Sequence, residues 1–243
     1  MPDPTSLAER ATFSQDPRHG PLPTLLLVLT VVTGIVDAVS YLKLGHVFVA
    51  NMTGNVVFLG LAAAGVPDFS IAMSLIAMGA FLLGALAGGR LGTIAGQHRG
   101  RFLALATYAK TGLVALAFAT SLVSSDITSG ASAYVLVLFL ALAMGLQNAA
   151  ARRVGVPDLT TTVLTLTLTG LSADSSFAGG TNPNAPRRLL ATGAMLIGAA
   201  MGALLVSHVG VSAALALALA LLAMNGLAGY RISSSDAAWT IEK

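Results

Sequence analysis

The chain has 243 residues, 55% of them hydrophobic and only 9% charged, with 13 Lys and Arg against 10 Asp and Glu. Soluble domains carry about 25% charged residues, so this composition, with a mean hydropathy of +0.82, excludes a globule covered by water. The basic residues form no run, which argues against a nucleic-acid surface, and the absence of cysteine removes disulfides, thiolate metal sites and cysteine nucleophiles.

Residues 1–22 are polar and contain several prolines, and they predict a disordered tail. A leader cleaved near Ala38-Val39-Ser40 is disfavoured by Asp37 just before it and by a weakly basic start. A bilayer helix needs roughly 20 apolar residues. Six stretches supply them: 23–43, 69–91, 102–123, 131–151, 188–208 and 211–230. Two more are interrupted by polar residues. Residues 47–66 contain Asn51-Met52-Thr53-Gly54-Asn55, and residues 158–172 carry Thr160, Thr161, Thr162, Thr165, Thr167 and Thr169.

Loop charge separates the two cases. If all eight stretches crossed with the N-terminus inside, Arg90, Arg99, Arg101, Arg152 and Arg153 would face outside. That opposes the tendency of Lys and Arg to remain cytoplasmic. With six crossings those residues join Arg10, Arg18, Arg187, Arg188, Arg231 and Lys243 inside, leaving Lys43 outside and Lys110 within a span. The expected fold is therefore all-α and polytopic. It has six membrane crossings plus two polar broken or re-entrant segments, in a bacterial-type inner membrane with both termini cytoplasmic.

The stretches also repeat. Gly34-Ile35-Val36-Asp37-Ala38 resembles Gly145-Leu146-Gln147-Asn148-Ala149, and Ala77 to Ala85 resembles Ala191 to Ala199, at spacings that drift only from 111 to 114 residues. Two copies of a unit with three crossings must insert in opposite senses, which predicts an inverted 3+3 internal repeat. The division is a tail at 1–22, a first repeat at 23–123, a second at 131–230 and a C-terminal tail at 231–243. Gly79, Gly84 and Gly88, mirrored by Gly193, Gly198 and Gly202, are expected at close helix crossings, because small residues let backbones approach in lipid.

Polar groups at membrane depth are the candidate pathway. Irregular backbone is tolerated there only inside protein or beside a watery cavity, and Gly54 frees the backbone from helical geometry. Asn51, Thr53, Gly54 and Asn55 are therefore expected to bind a substrate, together with Asp37, Asn148, Thr161, Thr162 and Thr165. The competing reading has Asn and Thr only holding helices together. The Thr–Leu alternation from Thr165 to Thr169 suits an extended segment as readily as a helix. For Asp37 three readings stand: a proton or cation site, an ion pair with Lys110, or a residue at the outer boundary. His46 and His208 read as solvated loop histidines. No catalytic set appears in the sequence, so an enzyme is not expected, and neither is a cofactor or a metal. The partners expected are the bilayer and a small-molecule or ion substrate, with no nucleic acid and homo-oligomerisation left open.

Gly34-x-x-Asp37-Ala38-x-Ser40-Tyr41-Leu42, followed by Val47-Phe48-Val49-Ala50-Asn51-Met52-Thr53-Gly54-Asn55, resembles the signature of the YoaK family of bacterial multi-pass membrane proteins. A second signature is similar to Gly145-x-Gln147-Asn148-Ala149-Ala150-x-Arg152-Arg153 with Thr161-Thr162. Where relatives tend to repeat Met-Thr-Gly, this chain has Leu164-Thr165-Leu166. The resemblance covers about Leu25 to Tyr230 and implies fold and membrane location; the family has no assigned substrate. The expected function is a transporter or channel for a small solute or ion, with its pathway at the repeat interface. The alternative is a non-transporting assembly or lipid-binding protein whose polar segments only pack helices.

Overall fold

The computed structural model describes residues 18–95, 98–124, 126–128, 130–162, 164–182, 184–234 and 237–240. Most of the expected N-terminal tail, with Arg10, lies outside the described residues, as does Lys243. Among the described residues six helices are long and apolar enough to cross a membrane: α1 (Leu22–Lys43), α3 (Ile71–Ala95), α4 (Arg99–Val123), α5 (Gly130–Val154), α7 (Ala185–His208) and α8 (Val211–Ile232). Two shorter helices interrupt them, α2 (Met52–Ala63) between α1 and α3, and α6 (Thr165–Ala173) between α5 and α7. At 1.5 Å per residue, α2 is about 18 Å long and α6 about 14 Å, both short of the roughly 30 Å hydrocarbon layer. Among the described residues there is no strand.

Packing follows the glycines. The most extensive contacts join α3 to α5 and α1 to α7, followed by α4 with α5, α4 with α8, and α1 with α8. A Cβ on Gly145 would stand 1.9 Å from the Phe81 carbonyl oxygen, and one on Gly84 2.1 Å from that of Leu142, so α3 and α5 touch backbone to backbone. At the other crossing, a Cβ on Gly34 would meet the Met195 carbonyl at 2.5 Å, and one on Gly198 that of Val31 at 2.1 Å. Gly88 and Gly202 sit close against Leu146 and Ile35 in the same way. Gly79 and Gly193 do not belong to these crossings, because a Cβ on either would meet nothing within 4 Å. With 3.6 residues per turn, five residues rotate the helix by about 140°, which carries Gly79 and Gly193 off the face that Gly84 and Gly198 share.

One end of the bundle is tied by Arg99 at the start of α4. Its guanidinium donates to the Val154 carbonyl at the end of α5 (Nε, 3.0 Å) and to the carbonyls of Arg18 and Trp239 (both 3.3 Å). The segment before α1, the start of α4, the end of α5 and the segment after α8 therefore meet at one place. Gly20, with φ +51°, passes close against the Trp239 indole. Arg153 lies over the Phe102 ring at 5.6 Å, adding a cation–π contact at the same end.

Candidate functional site

After α1 the chain turns at Gly45 (φ +82°) and His46 (φ +54°) and folds back along the last turns of α1. The backbone of this return strip has no helix to bond within, so side chains must satisfy it. Asp37 Oδ1 accepts from the N–H groups of Val49 (3.1 Å) and Ala50 (2.9 Å). Asn55 serves both sides of the Phe48 peptide: Oδ1 accepts from Phe48 N–H at 2.8 Å, and Nδ2 donates to the Phe48 carbonyl at 2.6 Å. Asn55 is fully buried and does not line the adjoining cavity. Its amide stands in for a neighbouring strand.

Gly54 lies in the first turn of α2 with ordinary helical backbone, so conformational freedom is not its role. A Cβ there would stand 2.7 Å from the Phe48 ring. Glycine makes room for that ring, which stacks between Tyr41 (5.2 Å) and Phe58 (5.5 Å), with Phe69 beyond at 5.1 Å from Phe58. His46 is exposed and meets Tyr41 edge-on at 5.3 Å. This ladder of rings was not visible in sequence, because its members come from four separate segments: α1, the return strip, α2 and the loop before α3.

The second interruption is built differently. Thr161, at φ +65°, is buried and accepts from Gln147 Nε2 at 2.9 Å, while Thr162 donates to Asn148 Oδ1 at 3.2 Å. Gln147 Nε2 also reaches Thr33 Oγ1 (2.8 Å), and Gln147 Oε1 accepts from Lys110 Nζ. Lys110 is 1% exposed. Asp37 and Lys110 thus have separate partners and form no ion pair with each other. The threonine-rich run from Thr165 is helical, and Thr169 Oγ1 bonds back to the Thr165 carbonyl at 2.9 Å. Arg188 of α7 clamps this region, pairing with Asp158 (3.0 Å) and Asp174 (2.7 Å) and donating to Asn182 Oδ1 (3.2 Å). Gly170 leaves space for its guanidinium.

Between the two interruptions lies a cavity of about 710 Å³, lined by α1, α2, α7 and the approach to α6. Asp37, Asn51, Thr53, Gly54, Thr162 and Thr165 line it; Asn55, Asn148 and Thr161 do not. Asn148 faces a separate depression of about 440 Å³ beside Arg152 and Asp158. Tyr41, Leu42, Val57, Leu168 and Met195 give the large cavity an apolar wall. A space of this size with a few convergent polar groups matches small-molecule sites, which run about 300–1,000 Å³. Among the described residues no three His, Asp or Glu side chains gather to hold a metal.

Residues 25–228 match the family model described as "Protein of unknown function (DUF1275)". The chain belongs to the DUF1275 family. It is 35% identical over 158 residues to the "UPF0700 transmembrane protein YoaK" of Bacillus subtilis (strain 168), a match covering 63% of this chain and 67% of that protein. The expected resemblance to the YoaK family therefore holds. No solved structure matches. The DUF1275 match runs from the first turn of α1 to the last turns of α8 and includes every residue that lines the cavity, so the chain is a multi-pass membrane protein of a family without an assigned function.

Proposed function

We propose that this protein carries or conducts a small solute or ion across a bacterial-type inner membrane, without enzymatic chemistry, through the cavity between its two interrupted segments. The observation that carries the reading is the 710 Å³ space in which Asp37, Asn51 and Thr53 of the first half face Thr162 and Thr165 of the second. Ionisable groups in membrane segments are costly and usually functional. Asp37 is the charged member of the pathway and serves a cation or proton.

The proposed frame is an inverted duplication of residues 23–123 and 131–230, with the α2 and α6 segments entering and leaving on one side. Its support is an exchange of contacts: Gly34 meets Met195 and Ala199, while Gly145 meets Phe81 and Ala85, positions that correspond in the aligned halves. The shortness of α2 and α6 and the return strip on Asp37 support the re-entrant course. The Arg99 cluster, which gathers both terminal segments and the arginine-bearing ends of α4 and α5, supports cytoplasmic termini.

The test is entry of solutes into proteoliposomes followed by light scattering, with a panel of small ions, amines, acids, sugars and amino acids. At least one solute should enter faster than into protein-free vesicles, and Asp37→Asn should slow its entry. Rates equal to those of empty vesicles across the whole panel would retire transport in favour of a purely packing role.

A further inference from the structure

We infer that the cavity is built for a small zwitterion, an α-amino acid with an apolar side group, an assignment of substrate class that rests on the transport reading above. Asp37 is 8% exposed, and both of its hydrogen bonds fall on Oδ1. Oδ2 has no partner among the described residues, on a side chain that lines the cavity. It asks for a donor.

The same space contains two groups of donors asking for an acceptor. The first amides of a helix have no partner within it. Neither Asn51, at the start of α2, nor Leu164, at the start of α6, supplies a side-chain cap. Both helix starts line the cavity, through Asn51, Thr53 and Gly54 on one side and Leu164 and Thr165 on the other. Each helix start carries roughly half a positive charge, so together they nearly offset one carboxylate.

The cavity thus presents one open acceptor, Asp37 Oδ2, together with the open donors of two helix starts. A lone cation would leave the helix amides unmet, and a lone anion would face Asp37. A molecule carrying both charges meets both: its ammonium donates to Asp37 Oδ2 and its carboxylate accepts from the open first turns, aided by the Thr53 and Thr165 hydroxyls. Val57, Leu168 and Met195 then receive an apolar side group.

The test is calorimetric binding to the full-length protein in nanodiscs. The zwitterion probes are L-leucine and L-phenylalanine. Their half-molecules are 3-methylbutylamine and 2-phenylethylamine on one side, and 4-methylpentanoate and 3-phenylpropanoate on the other. One of the two amino acids should bind saturably, and its own amine and acid should bind at least tenfold more weakly. Asp37→Asn keeps the oxygen that holds Val49 and Ala50 and replaces only the free one, so it should weaken the amino acid at least tenfold. Val57→Trp, at an exposed position on the wall, should block binding by filling the space.

An amine or an acid that binds as tightly as its amino acid overturns the inference, and so does binding unchanged by Asp37→Asn. Failure of all six probes overturns it as well. Entry of another solute in the vesicle assay would then leave the transport reading standing. Amino-acid binding without any solute entry would instead sink transport and keep the site.

Discussion

In the first half of the molecule, the return strip before α2 is held by Asp37 and by the two-sided bond of Asn55 to Phe48, inside a ladder of aromatic rings. In the second half, the approach to α6 is held by threonines on Gln147 and Asn148 and by the Arg188 ion pairs. The two helix crossings are built alike, each with glycines against backbone carbonyls; the interruptions are not. The backbone need is the same in both places, since buried chain outside a helix must find bonding partners. The side chains that meet it are free to differ as long as each peptide group is served.

The crossings should respond alike. Gly145→Val and Gly34→Val place a side chain where backbone carbonyls stand 1.9 and 2.5 Å from a Cβ, so each should prevent assembly, read as loss of monodisperse protein after purification. If one variant assembles normally, the two crossings are not equivalent.

The interruptions should respond unequally. Asn55→Ala leaves the Phe48 N–H and carbonyl without partners, at about 1–3 kcal/mol for each buried group, so about 3 kcal/mol should be lost in equilibrium unfolding in detergent. Thr162→Ala removes one hydroxyl, shared between Asn148 Oδ1 (3.2 Å) and the Thr160 carbonyl (3.5 Å), and should lose about 1 kcal/mol. Equal losses would mean that the second strip rests on its threonines more than its geometry indicates. Arg188→Ala should lower the melting temperature by less than Asn55→Ala does. Because ion pairs near the surface are screened by salt, that deficit should shrink in high salt, whereas the Asn55→Ala deficit should not. A small effect is expected for Gly54→Ala, which asks only the Phe48 ring to move, at about 1 kcal/mol.

The six long helices were legible in sequence because bilayer thickness sets a length that hydropathy alone reveals. Their ends were less so. An apolar criterion ends the second span near Arg90, yet α3 runs to Ala95, since helix geometry does not stop where lipid does. The fourth helix begins at Arg99 because His98 caps it, accepting from the Arg101 N–H at 3.0 Å.

The polar interruption around Asn51 to Asn55 was equally visible, but the division of labour within it was not. Asn51 and Asn55 are the same residue type four positions apart. Only the return strip decides that one faces the cavity and the other binds Phe48. The rotation that removes Gly79 from the crossing face could have been read from helix phase. Lys110 turns to Gln147 through the relative placement of α4 and α5, which composition and spacing do not encode.

The central claim is that water and a passenger reach the first turn of α2. The chain lacks cysteine, so single cysteines at Asn51, Thr53, Thr165 and Asn55 can be probed with a small charged thiol reagent in proteoliposomes. The account predicts reaction at the first three positions and silence at Asn55→Cys. Silence at all four, or equal reaction at all four, would contradict it.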